Sequence, residues 1–352
     1  MKKTLFYTIL ISACSALLIY ISRSVSEGNV NNGFSRKFIT PTITLKSVII
    51  LPNKSFAFLG TLNKKIILFN YADKIHLFPL NATLSKLDTT TIKFPTGFYM
   101  NGLNVYKDIQ APLLFLGNAY GDVAVSNGST TIPYKIKGVH FDNFKAISDR
   151  TLIVRARHNY GSQKNRSLAR LSLADSVRLK KDYPFPNVKD ALFTNDGWLQ
   201  YDKKNARILY MYYYKGEFLT LDTNLNLLYK GKTVDTVRTA NITTGVVTTK
   251  TKNGFNKSIT QTTPPKVVNA YMTTYNNLVY VISRLKADNE TKSEFAKNQV
   301  IDVYDLRSGK YLYSFYIRRY IGNKLNQFLI EDNRLIAIFE TFLVSYNFSS
   351  QQ

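Results

Sequence analysis

Cations, rather than carboxylates, thiols or imidazoles, are the side chains this sequence groups in patterns that could do chemistry. Arg155, Arg157, His158, Lys164 and Arg166 crowd one segment together with Tyr160, and Arg318, Arg319 and Lys324 accompany Tyr320 in another. Arg178, Lys180 and Lys181 form a third group, just ahead of Asp182-Tyr183-Pro184-Phe185-Pro186. A guanidinium presents a planar fork of donors to carboxylate or phosphate, and a nearby tyrosine adds a face for stacking. The expected binding residues are therefore Arg155, Arg157, His158, Tyr160, Arg318 and Arg319. The plainer reading is a solvated basic surface that keeps the protein soluble and blocks strand pairing. The formal net charge of +24, with 47 Lys and Arg against 23 Asp and Glu, adds a long-range field that attracts acidic partners.

Other chemistry is thinly represented. His76, His140 and His158 stand apart, and the single cysteine, Cys14, has no partner for a disulfide. His140 and Asp142 flank Phe141 and would share one face of a strand, but no nucleophile accompanies them. There is no glycine-rich phosphate loop and no Gly-x-Ser-x-Gly elbow. Neither a catalytic residue nor a metal or cofactor is assigned.

The N-terminus bears on location. Lys2 and Lys3 precede a charge-free, mostly apolar run over residues 5–21, close to the lower limit for spanning a bilayer. Basic residues before such a run keep the N-terminus in the cytoplasm and send the remainder of the chain across the membrane. Three outcomes fit residues 1–24: an uncleaved anchor helix, cleavage after Ser24, or lipidation of Cys14 within Ile11-Ser12-Ala13-Cys14. Each implies an extracytoplasmic, periplasmic body held at or released from the membrane. The polar, Gly/Asn-rich residues 25–36 read as a flexible tether. Export favours an acidic protein or envelope component as partner over nucleic acid, which would satisfy the same electrostatics.

The elements that must position the cations are strands. From residue 37 onward, short runs rich in Ile, Val, Leu, Phe, Tyr and Thr alternate with Asn, Asp, Gly and Lys clusters. Turns are expected at 52–54, 107–108, 149–150, 195–197, 276–277 and 332–334, and later strands at 75–80, 122–126, 167–173, 217–222, 300–305 and 341–346. Six turns and six later strands predict an all-β, six-bladed propeller over 37–348, with a short tail at 349–352. A shift of 142 lays residues 51–80 on 193–222 with the apolar pattern in phase, as a displacement by three blades would. The last unit lacks one strand, and 37–45 is expected to supply it, closing the ring and removing exposed edges. The insertion at 233–265 reads as a hairpin or lid across one face, and the charged loop 284–297 as solvent-exposed.

Three stretches carry a family resemblance: FKAISDRTLIVRA at 144–156, DYPFP at 182–186, and PPKVVNAYMTTYNNLVYVIS at 264–283. Through them the body resembles the TolB-like six-bladed propellers of Bacteroidetes-type exported proteins. That resemblance implies architecture and an exported or lipid-anchored location more than an activity.

Two functions are expected. The first is a membrane-tethered propeller that binds or assembles with an acidic protein, polymer or small ligand at one face. The second is a lactonase-like, metal-dependent hydrolase with Asp142, Asp149, Asp190, Asp196 and Asp332 gathered near the central channel. Asp149, Asp196 and Asp332 each fall in an expected turn, where Asp is favoured by its own local hydrogen bonds.

Overall fold

The computed structural model describes residues 31–99, 105–160, 163–174, 178–251 and 254–349. The N-terminal apolar run, including Cys14, lies outside them. The body is a six-bladed β-propeller of six four-stranded antiparallel sheets. The first blade is Phe56–Leu62, Lys65–Asn70, Asp73–Pro79 and Thr90–Thr91; the second is Tyr106–Gln110, Leu113–Gly117, Asp122–Ser126 and Thr131–Lys135. The third is His140–Ser148, Thr151–Tyr160, Gln163–Ser172 and Arg178–Pro184; the fourth is Gly197–Asp202, Arg207–Tyr212, Glu217–Asp222 and Leu227–Lys232. Asn269–Tyr275, Leu278–Ser283, Asn298–Asp305 and Tyr311–Arg318 make the fifth. Leu325–Glu331, Arg334–Phe339 and Phe342–Ser349 make the sixth, which borrows its outer strand, Thr42–Ile50, from the start of the body. The first strands of the blades contact one another in cyclic order, so the sheets close into a ring.

Packing explains why the second strands of the blades are built on apolar runs, such as Arg207–Tyr212 and Leu278–Ser283. A blade is sandwiched between two neighbours, so both faces of its middle strands are buried and alternate residues point to opposite neighbours. Ile208, Tyr210 and Tyr212 pack toward the third blade, whereas Leu209 and Met211 pack toward the fifth. In the sixth blade, Ile336 and Ile338 join the first blade and Leu335, Ala337 and Phe339 join the fifth. Six apolar clusters result, one at each junction between blades. The shift of 142 carries Lys65–Asn70 onto Arg207–Tyr212, second strand onto second strand, three blades on.

Several details differ from the sequence reading. The closing strand is Thr42–Ile50 rather than 37–45. Residues 37–39 lie beside the outer strand of the fifth blade instead: Ile39 N donates to Ser314 O at 2.9 Å, and Phe38 stacks on Tyr316 at 4.5 Å. One segment thus covers two sheet edges in succession. The tether expected over 25–36 is fastened at its end. Asn32 Nδ2 donates to Lys286 O at 2.8 Å, Phe34 packs on Val268, Leu285 and Ala287, and Arg36 is buried against Asp302 and Glu290. A polar composition suggests flexibility, but these partners lie some 250 residues away in the chain and leave no local trace.

Lys107 and Asp108 form no turn. They are buried within Tyr106–Gln110, and the turn falls at Ala111-Pro112. Asn276-Asn277 and Asp332-Asn333 do make tight turns, each pair with positive φ, where Asn and Asp are tolerated. The insertion forms a two-stranded hairpin, Thr244–Thr251 with Gly254–Gln261, between the fourth and fifth blades. Thr244 Oγ1 donates to Asp190 Oδ1 at 2.6 Å and ties the base of the hairpin to the preceding connection.

Candidate anion-binding face

Antiparallel alternation sorts the connections. Loops between second and third strands emerge on the same face of the ring as the links from one blade to the next, and the other hairpin turns emerge on the opposite face. The cationic segment around Arg155 and the link that begins at Arg319 therefore share one face, whereas Asp149 and Asp332 lie on the other.

Within the third blade, three guanidinium groups converge on one carboxylate. Asp142 enters from the first strand, Arg155 and Arg157 from the end of the second, and Arg166 from the start of the third. Residues 155 and 157 share a strand face by alternation, and antiparallel pairing sets Arg157 opposite Arg166. Arg155 Nε donates to Asp142 Oδ1 at 2.5 Å and Arg157 Nε to Oδ2 at 2.8 Å, while Arg166 Nη1 also donates to Oδ2. Arg155 Nη1 further donates to Asp196 Oδ1 at 2.6 Å and to Gly197 O at 2.7 Å, which ties the third blade to the fourth. Burial would raise the Asp142 pKa, but the surrounding Arg155, Arg166 and Arg157 charges hold it down at about 2. Three guanidinium groups face the two carboxylates Asp142 and Asp196, so a positive excess remains.

These contacts sort the expected binding residues. Arg155 and Arg166 are buried or nearly so and act as braces, whereas the Arg157 side chain is 51% exposed and faces solvent. His158 and Tyr160 continue the same strand, but their side chains lie outside the described residues. Arg318 is exposed, and the adjacent Arg319 is half-buried; neither pairs with a carboxylate among the described residues. Sequence reasoning placed three cationic segments on one rim; two of them share a face, but the strand Arg178–Pro184 begins on the opposite one, where Arg178 pairs with Ser172. It also missed that Arg155 is already committed to Asp142 and Asp196.

At the mouth of the central channel a cavity of about 250 Å³ is lined by Tyr71, Tyr106, Lys107, Arg155, Trp198 and Tyr213, among others. Lys107 Nζ donates to Asp73 O at 3.2 Å, and burial pushes its pKa down to about 8 against the pull of Asp73. Lys145 Nζ pairs with the buried Asp108 at 2.8 Å. Lys107 was missed because Lys-Asp is a common turn pair. The apolar residues Val105 and Ile109 that bracket it are the only hint of a strand.

The candidate hydrolase acids do not gather as a free set. Asp142 and Asp196 meet only through the arginines they share, Asp190 accepts from Thr244, and Asp149 and Asp332 are exposed on the opposite face. His140 Nδ1 lies 3.3 Å from Ala119 O rather than against Asp142. Among the described residues no group of three or more His, Cys, Asp or Glu side chains is placed to hold a metal ion.

Fold and site together define a six-bladed β-propeller that gathers, among the described residues, unpaired guanidinium groups on one face. No known family profile matches the chain, and no curated protein matches it. Among solved structures, the chain is similar to a member of the DUF4221 family from Bacteroides vulgatus, at a TM-score of 0.56 and 11% identity, over 90% of this chain and 99% of that one. At such identity the likeness shows the fold alone. More distant likenesses are BamB from Moraxella catarrhalis, at 0.44 and 10% over 87% of this chain and 100% of that one, and a streptogramin B lyase, at 0.45 and 9% over 90% and 100%.

Proposed function

We propose that this chain is an extracytoplasmic propeller, tethered to the membrane by its N-terminal segment, that binds an acidic protein or envelope polymer through its cationic face. The observation that carries this reading is the surplus of guanidinium on that face. Asp142 and Asp196 neutralise only part of the third-blade cluster, and Arg318 and Arg319 have no carboxylate partner among the described residues. Charge fixed in place by the rigid blades needs little reorganisation when an anionic surface docks. Location rests on Lys2, Lys3 and the apolar run over 5–21, and accords with the TolB-like resemblance of residues 144–156, 182–186 and 264–283.

The test is a pull-down from envelope extract with the full chain and with an Arg318→Glu, Arg319→Glu variant. Charge reversal should abolish capture of acidic partners at low salt. Unchanged partners with unchanged salt sensitivity would refute the assignment.

A further inference from the structure

On the cationic face, sharing Tyr213 with the channel cavity, a cavity of about 600 Å³ opens between the fourth, fifth and sixth blades. That size is within the ordinary range for small-molecule sites. Its apolar wall is Tyr213, Tyr214, Val267 and Phe295, and its polar wall includes Arg284, Arg319 and Lys324. Among the described residues, no Asp or Glu lines it.

Each cation is supplied by a different feature of the fold. Arg284 directly follows the buried second strand of the fifth blade, and its two terminal nitrogens donate to Gln299 Oε1 and, at 3.0 Å, to Leu325 O. Gln299 is held in turn by donating to Ser283 O at 2.8 Å. Arg319 begins the link to the sixth blade. Its backbone N–H donates to Lys297 O at 3.1 Å, and its Nη2 reaches Phe295 O only at 3.5 Å, the margin of a hydrogen bond. Its Nε is buried without an acceptor among the described residues. Lys324 is exposed at the rim.

The loop 284–297 is exposed over most of its length, as its charge suggested, but it is pinned to the body at three points. Leu285, Ala287 and Glu290 are buried, and the loop ends in the short helix Lys292–Lys297 that brings Phe295 to the cavity.

Two neighbouring guanidinium groups without a carboxylate repel each other and lose hydration, and burial together with the Arg319 charge pushes the Arg284 pKa down. A buried N–H without an acceptor adds to that cost. Beside them, Val267 leaves apolar surface exposed. An oxyanion against the Arg319 and Lys324 charges would relieve the first deficit, and an attached apolar body would cover the third.

We propose that this cavity binds a small amphiphilic organic anion. Its phosphate or carboxylate head sits against Arg319 and Lys324, above Arg284, and its apolar body lies against Tyr213, Tyr214, Val267 and Phe295. The inference rests on the reading of this face as anion-binding, yet it concerns a small ligand rather than a macromolecule, and the two can fail separately.

The experiment is calorimetric titration of the full chain in detergent with phenyl phosphate, benzoate and inorganic phosphate, alongside polyglutamate. Phenyl phosphate or benzoate should bind more tightly than inorganic phosphate. Arg319→Gln and Lys324→Ala should each weaken that binding by about tenfold, the loss of one charge-assisted contact. Lys203→Gln with Lys204→Gln, exposed on the opposite face, should leave it unchanged. Lys324 is exposed, so its substitution tests the site even if Arg319→Gln fails to fold. The proposal is overturned if neither aromatic anion binds, if binding is indifferent to both substitutions, or if inorganic phosphate binds as tightly as the aromatic anions. Polyglutamate binding without aromatic-anion binding would sink the pocket and leave the wider face standing; the converse would sink the macromolecular reading.

Discussion

Asp142→Asn should weaken the fold and at the same time strengthen anion binding. The native carboxylate sits at about 2, against an ordinary 3.8, because Arg155, Arg166 and Arg157 outweigh its burial. That difference corresponds to about 2 kcal/mol of stabilisation at neutral pH. Since the folded-state pKa is depressed, the stabilisation is complete above the unfolded value and disappears as pH falls from about 4 to about 2. Substitution also leaves Arg155 and Arg166 enclosed with less compensation, which raises the expected loss toward about 3–5 kcal/mol. Urea denaturation of wild type and variant at pH 7 measures this directly, and the gap should narrow as the buffer is acidified toward 3. Arg157, released from its partner at the solvent edge, should meanwhile bind polyglutamate more tightly. A variant as stable as wild type, or a gap that does not change with pH, would refute the view that one carboxylate organises the cluster.

Buried charges elsewhere in the ring give two further outcomes. Lys107→Met should stabilise the protein at pH 7 by up to about 3 kcal/mol, because burial holds the lysine at about 8 instead of 10.5. The unfolded chain binds more protons between those values, so wild type gains stability as pH rises, and by pH 9.5 the gap should shrink by about 2 kcal/mol. A variant less stable than wild type at pH 7 would contradict this. Arg36→Met strands Asp302 and Glu290 and should cost about 3–5 kcal/mol in denaturant unfolding. A change under about 1 kcal/mol would mean that the segment before the closing strand is not part of the folded body.

The blades were legible in the sequence because their signals are local. Strands buried on both faces, such as Arg207–Tyr212, give continuous apolar runs, and pairs such as Asn276-Asn277 mark turns whose positive φ few other residues accept. The shift of 142 worked for the same reason, since equivalent strands meet equivalent neighbours. Placement of the closing strand was off because Phe38 and Ile43 have the same composition but lie beside different blades. The cationic segments were visible, and so was the face shared by two of them once the ring was inferred; the third, at Arg178–Lys181, begins on the other face. Invisible were the pairings that decide which cation is free. Arg36 meets Asp302 and Arg155 meets Asp196 only after the ring closes, and nothing near Arg284 in sequence shows that its loop is pinned at Leu285, Ala287 and Glu290. Arg155 and Asp142 were the exception within reach, because they lie 13 residues apart on paired strands of one sheet.

The most direct measurement is the salt dependence of polyglutamate affinity for the full chain, compared with an Arg318→Glu, Arg319→Glu variant and a Lys203→Glu, Lys204→Glu variant of the opposite face. Affinity should fall steeply with salt for wild type and for the opposite-face variant, and be nearly lost in the first. Equal loss in both variants, or loss confined to the second, would contradict a binding function localised to this face.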